Sequence, residues 1–275
     1  MKRYCYFNGK IKELKNAKID PYDIGILRGY AVFDFLTTQN DKPFLWRDHF
    51  RRFKRSAREL RLTMPITEKE FEEIILKLVK KHHYKDSIIR SVLTGGVSSN
   101  GFIPDGKPVL YILIEKAWSL PREYYSKGVP LISIEYQRTM PLIKTSNYIE
   151  ALRHNHLRHK AKALEILYTS KNHALECASS NFFIVKNNKI ITPKDDVLLG
   201  ITRKLVLHLA KKHYQIIERP IRLRELETAD EAFITASGKH MVPVTQIDKK
   251  IIGDGKVGPV SIHLMDLYKD FAKKY

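Results

Sequence analysis

The stretch Thr139–Ile166, TMPLIKTSNYIEALRHNHLRHKAKALEI, decides how this chain is read. It is crowded with basic groups, in a chain that carries 49 Lys and Arg against 30 Asp and Glu. One cation stands apart. Lys144 follows Pro141, Leu142 and Ile143, at what reads as the end of an apolar strand. Burying an unpaired ammonium there costs several kcal/mol. A lysine so placed either carries its charge back to solvent or is held neutral, and a neutral amine is a nucleophile toward carbonyls.

Around that stretch the chain reads as two units. YCYFNGKIKEL predicts a hairpin turning at Asn8-Gly9, and YAVFDFLTTQNDKPFLW a second around Asn40-Asp41. In DHFRRFKRSARELRL the period changes, and Phe50, Phe53, Ala57 and Leu60 fall on one helical face. A second helix follows, with Thr67 and Glu70 as a capping box. SIIRSVLTGG and PVLYILIE read as apolar strands. The spacing therefore predicts an α+β domain over 1–115, a linker over 116–125 around Pro121, and a second domain over 126–275. In the second, VPLISIEYQ predicts a strand, Asn147 to about Tyr168 a helix, and SNFFIVKNNKIITP a hairpin at Asn187-Asn188. GITRKLVLHLAKKHY then predicts a helix, EAFITASG a strand and turn, and SIHLMDLYKDFAKKY a terminal helix.

Composition narrows the function. A net charge of +19 raises nucleic acid as a partner, but the charge is spread along the chain and forms no tail, so a solvated basic surface explains it and no nucleic-acid partner is expected. Two cysteines, Cys5 and Cys177, make neither a disulfide framework nor a metal spacing with the histidines; a cytoplasmic protein without a metal is expected. No signal peptide or membrane span is expected either.

Four further positions carry possible chemistry. Glu176, in LECASSNFFIV, is a carboxylate among small and apolar residues and needs a cationic or hydrogen-bonding partner, which one of the many lysines could supply. In LLGITRKLVLHLA, Gly200, Ile201 and Thr202 open a helix whose free N–H groups favour an anion, unless Thr202 simply caps it. The Ser237-Gly238 turn of TASG offers further N–H groups. Arg52 flanks the apolar face of its helix.

In this order and spacing these segments resemble the class IV aminotransferases, the fold-type IV pyridoxal-phosphate enzymes. RGYAVFDF, HFRRFKRS, IKTSNY, ECASSNFF, LLGITR, TASGKHMVPV and GDGKVGPV match in family order, and Glu176 falls 32 residues after Lys144. The resemblance implies a two-domain α+β/α/β fold, with a small N-terminal domain and a larger β-barrel-like domain carrying helices. It implies pyridoxal 5′-phosphate as cofactor, amino acids and 2-oxo acids as substrates, and a homodimer whose N-terminal loops close the partner's pocket. Lys144 is similar to the Schiff-base lysine. Glu176 is similar to the glutamate on the pyridine nitrogen, and Arg52, three residues after His49, to the arginine on the phosphate. Ile201, Thr202, Ser237 and Gly238 match the phosphate cup.

Within the family, branched-chain enzymes show an aromatic-Gly pair and then Phe-Glu-Gly; here Arg28, Asp34 and Phe35 stand instead. The D-alanine type carries an arginine where this chain has Gly95, and a tyrosine at the place of Phe33, which would line the pocket. The lyase relatives show Phe-Thr-Thr at Phe33-Asp34-Phe35. Arg28 and Arg90 are the candidates for the substrate carboxylate, since a guanidinium fork matches it bidentately. The pattern leans to a D-amino acid aminotransferase with an unorthodox pocket; an L-branched-chain enzyme is the alternative.

Overall fold

A computed structural model describes residues 2–275. The chain divides into two compact units. One runs up to Trp118 and adds Ile143–Asn147 and Tyr275; the other comprises Ser119–Leu142 and Tyr148–Lys274.

The first unit contains β1 (Tyr4–Phe7), β2 (Lys10–Glu13), α1 (Ile24–Leu27), β3 (Ala31–Gln39), β4 (Lys42–Pro43), α2 (Trp46–Glu59), α3 (Glu68–His82), β5 (Ser87–Thr94) and β6 (Val109–Lys116). The strands form one antiparallel sheet in the order β2-β1-β6-β5-β3-β4. Both expected hairpin turns form, with positive φ at Asn8, Gly9, Asn40 and Asp41, the geometry of a type I′ turn. The Thr67–Glu70 capping box starts α3 as expected. One face of the sheet, with Val32, Leu36, Ile89, Leu93, Leu110 and Ile112, packs with Phe50, Phe53 and Phe71 of α2 and α3 in the core.

The second unit contains α4 (Arg122–Ser126), β7 (Val129–Glu135), α5 (Ile149–Arg153), α6 (Asn155–Lys160), β8 (Glu165–Ser170), β9 (His173–Cys177), β10 (Asn181–Lys186), β11 (Lys189–Thr192), α7 (Ile201–Ala210), β12 (Gln215–Glu218), β13 (Ile221–Arg222), β14 (Glu231–Ala236), β15 (His240–Ile247), β16 (Lys250–Ile251) and α8 (Pro259–Lys274). Strands β10-β14-β15-β7-β8-β9 follow one another by hydrogen bonding, and β9 pairs back with β10 at Glu176 and Asn181. That last pairing closes a six-stranded barrel filled by residues such as Leu167, Phe182, Ile234 and Val242. The expected fold class holds.

Two local expectations are corrected. The helix expected from Asn147 to about Tyr168 is instead α5, α6 and then strand β8. Lys162 adopts φ 53° and ends the helical run, and Glu165–Tyr168 are claimed by parallel pairing with β7 and buried on both faces. The end of the stretch expected to be a linker is helical, in α4 (Arg122–Ser126), and Tyr124 and Tyr125 pack on the barrel core.

The GDGKVGPV stretch has a structural reason. Buried Glu231 accepts the N–H groups of Val260 (2.9 Å) and Ser261 (2.7 Å), capping α8. A Cβ on Gly258 would stand 2.1 Å from the Glu231 carboxyl carbon, so only glycine fits there.

Candidate active site

In the first unit Lys144 is half-buried in a loop rather than on a strand end. Its segment is tied down by backbone. The Lys144 N–H donates to Ser56 Oγ of α2 (3.2 Å), and its carbonyl accepts the Phe33 N–H (2.9 Å). Thr145 bridges to Val32 of β3. The ammonium lies 4.4 Å from the centroid of the Phe33 ring, a favourable cation–π position. Two residues on, about 7 Å along the strand, Phe35 carries the Arg90 guanidinium at 5.3 Å from its centroid. Phe33 pairs with Val92 and Phe35 with Arg90. One sheet face, opposite the helices, thus presents an amine, two aromatic rings and a guanidinium. Arg90 Nε donates to Glu115 (2.9 Å). Arg28 is not gathered onto this face within the chain: it is exposed at the end of α1, where Nη1 donates to the Leu27 carbonyl (3.1 Å).

Asp34, between the two phenylalanines, points to the opposite, helix-covered face. Its carboxylate takes Arg52 Nε (2.8 Å) and Nη2 (2.9 Å) in a bidentate pair and lies 2.6 Å from His49 Nδ1. Asp34, Arg52 and His49 are all nearly fully buried. Arg52 therefore belongs to the buried side of α2 rather than to its flank. Burial pushes the Asp34 carboxyl up, but Arg52 and His49 outweigh it and hold the group well below the usual carboxylate range. Burial, helped by the neighbouring Arg52, lowers His49 below its ordinary value against the opposing pull of Asp34.

In the second unit Glu176 is the penultimate residue of β9 and is buried. An arginine is a cationic partner: Arg138 Nε is 3.6 Å from Glu176 Oε1. Arg138 also donates to the Ala178 carbonyl (2.7 Å) and lies over the rings of Tyr148 and Tyr168. Asn181, across the barrel-closing pair, donates to the Leu198 carbonyl (2.6 Å) and reaches Glu176 at 3.4 Å. Its Oδ1 occupies the space a Cβ on Gly200 would need, at 2.2 Å. Gly200, and not Thr202, is the N-cap of α7, with no side-chain cap; Ile201 and Thr202 are its first two residues, both buried. Thr235, beside Asn181 in the β10–β14 register, holds a buried Oγ1 with no hydrogen-bond partner. Ser237 and Gly238 form the turn between β14 and β15.

Residues 31–247 match the family described as amino-transferase class IV. The chain belongs to the class IV aminotransferases. A class IV aminotransferase was therefore rightly read from the motifs. A Methanocaldococcus jannaschii protein with a provisional branched-chain-amino-acid aminotransferase name is 32% identical, over 98% of this chain and 96% of its own. A D-alanine aminotransferase of Listeria monocytogenes is 30% identical, over 94% of this chain and 92% of its own. Among solved structures, a T.th. branched-chain amino acid aminotransferase with pyridoxamine 5′-phosphate superposes with TM-score 0.91 at 26% identity, covering 100% of this chain and 95% of that one.

The residues of this class IV aminotransferase fit a phosphorylated pyridine cofactor. A helix N-terminus without a side-chain cap, a glycine whose Cβ has no room and a buried hydroxyl lacking a partner together make a cradle for an anion. The sequence pointed to Lys144, Arg52 and Glu176 but not to the groups that hold them. Asp34 had a signal, a carboxylate on the buried face of an apolar strand. Arg138, in EYQRTMP, had none. Among the described residues no helix is long and apolar enough to cross a membrane.

Proposed function

We propose that this class IV aminotransferase transfers the amino group of a D-amino acid, of the D-alanine or D-glutamate kind, to a 2-oxo acid. When bound, pyridoxal 5′-phosphate supplies the electron sink that makes Cα–H removable. The chain's residues divide the remaining work. The Lys144 amine would hold the cofactor through its aldehyde carbon and would move the proton at Cα. Glu176, with Arg138 beside it, supplies the negative charge for the pyridine nitrogen. The α7 N-terminus at Ile201 and Thr202 and the Ser237-Gly238 turn are assigned to the phosphate, as is Arg52 through the Nη1 that its pair with Asp34 does not use.

The choice of hand rests on Phe35, where the branched-chain pattern has a glycine, and on the 32-residue spacing from Lys144 to Glu176; the row Lys144, Phe33, Phe35, Arg90 on one sheet face supplies a guanidinium for the carboxylate. With the nitrogen of the donor and the Cα–H fixed, exchanging the places of carboxylate and side chain reverses the hand at Cα. An arginine about 7 Å along the strand from the lysine-bearing ring favours the carboxylate on this face. A guanidinium has five N–H donors, so Arg90 can serve Glu115 and an anion together. Phe35 stands where the branched-chain pattern has a glycine. Arg28, exposed on its own chain, is assigned to the carboxylate in a partner subunit's pocket, which makes the enzyme a homodimer with shared sites.

A donor panel of D- and L-alanine, glutamate, leucine and valine with 2-oxoglutarate tests this, together with Cα–H exchange of each donor in deuterated water. Turnover and exchange are expected for D-alanine and D-glutamate. Turnover of L-leucine and L-valine alone would support the second reading, an L-branched-chain enzyme, which the Methanocaldococcus relative favours. The carboxylate partner is tested separately. Arg90→Ala is expected to raise the KM for the D-donor roughly tenfold or more, by loss of a charge-assisted pair, with less change in the KM for leucine. An unchanged KM would remove Arg90 from the pocket.

A further inference from the structure

The barrel brings two turns to the same end. Because Asn181 pairs with Thr235 and with Glu176, the β9–β10 turn at Ala178–Ser180 and the β14–β15 turn at Ser237–Lys239 emerge side by side. A buried ion pair joins them. Lys239 closes its turn with an N–H bond to the Ala236 carbonyl (3.2 Å), and its side chain runs back to the other turn. Its Nζ donates to Glu165 Oε1 (2.5 Å) and Ser179 Oγ (2.7 Å). Glu165, at the start of β8, also accepts from the Ser179 N–H (3.1 Å), the Ser179 hydroxyl (2.8 Å) and the Ser180 hydroxyl (2.6 Å). Glu165 is 4% exposed and the Lys239 side chain 13%. Tyr125 holds the Lys239 carbonyl from outside (3.2 Å).

Stability alone gives little reason for charges here, since well-packed apolar residues of similar volume serve a buried site as well or better. What the pair does uniquely is fix geometry. It links the Ser237-Gly238 turn to the turn that follows Glu176, through one carboxylate that meets both. We infer that Lys239 and Glu165 are positioning residues for the cofactor: they set the Ser237-Gly238 backbone N–H groups in place for the phosphate before it arrives. Neither touches the reacting atoms. The inference rests on the reading of this turn as part of the phosphate cup.

The test uses purified holoenzyme. Lys239→Met and Lys239→Arg are prepared beside wild type. Cofactor dissociation is followed by the loss of its visible absorption on dilution and by equilibrium dialysis, and the melting temperature of each apoprotein is measured. Lys239→Met is expected to weaken cofactor binding roughly tenfold or more, as loss of an orienting outer contact does in other preorganised sites, while Lys239→Arg retains most of it. Should Lys239→Met not fold, the double variant Glu165→Gln/Lys239→Met, which leaves no buried unpaired charge, carries the same expectation. Wild-type cofactor affinity in either folded Met variant, with only a lowered melting temperature, would make the pair purely structural and overturn the inference. A wild-type protein that takes up no cofactor would instead strike at the proposed function itself.

Discussion

Lys144→Ala is expected to abolish the visible absorption of the purified enzyme and to lower transamination by about 10³-fold or more, the scale of losing a positioned proton-transfer group and the nucleophile together. The variant should still fold. What anchors the segment is main chain: the Lys144 N–H to Ser56, the Lys144 carbonyl to Phe33 and the Thr145 bridge to Val32. None of these needs the side chain. An alanine variant that keeps both colour and wild-type turnover would remove Lys144 from its role.

Asp34→Asn is expected to cost about 3 to 5 kcal/mol of unfolding free energy, because it leaves the buried Arg52 guanidinium without its countercharge. The three groups involved are each nearly fully buried, so solvent cannot screen the loss. The sign with pH follows from the depressed carboxyl. It is more acidic in the folded chain than in the unfolded one. Its contribution is therefore complete above about pH 5, begins to fall near pH 4 and is lost progressively as pH drops toward the strongly depressed folded value. Urea unfolding of wild type should weaken across that range, and Asp34→Asn should flatten the dependence. A cost below about 1 kcal/mol would mean Arg52 is solvated or held by other groups.

Local signals in the sequence transferred well where a few neighbouring residues settle the outcome. Asn8-Gly9 and Asn40-Asp41 supply positive φ whatever surrounds them, and Thr67 with Glu70 caps its own helix. The stretch from Asn147 to Tyr168 shows where this fails. ALEILY is rich in helix formers, yet Glu165–Ser170 is a barrel strand because pairing with β7 and β9 outweighs propensity. The same limit applies to the site. Lys144, Arg52 and Glu176 were legible through motif and spacing. Their partners are set by folding across long separations: Arg138 meets Glu176 once β7, β8 and β9 pair, and Glu165 meets Lys239 from 74 residues away. The helical count placed Arg52 beside the apolar face of a basic helix, not on it. Only the carboxylate at Asp34, on the buried face of the adjacent strand, shows why this one turns inward.

The most direct measurement is to reduce the purified enzyme with borohydride, digest it and locate the cofactor by peptide mass spectrometry. The account predicts that the added mass sits on Lys144, in the peptide that follows Arg138. Attachment at any other of the chain's lysines, or no attachment after incubation with pyridoxal 5′-phosphate, would contradict it.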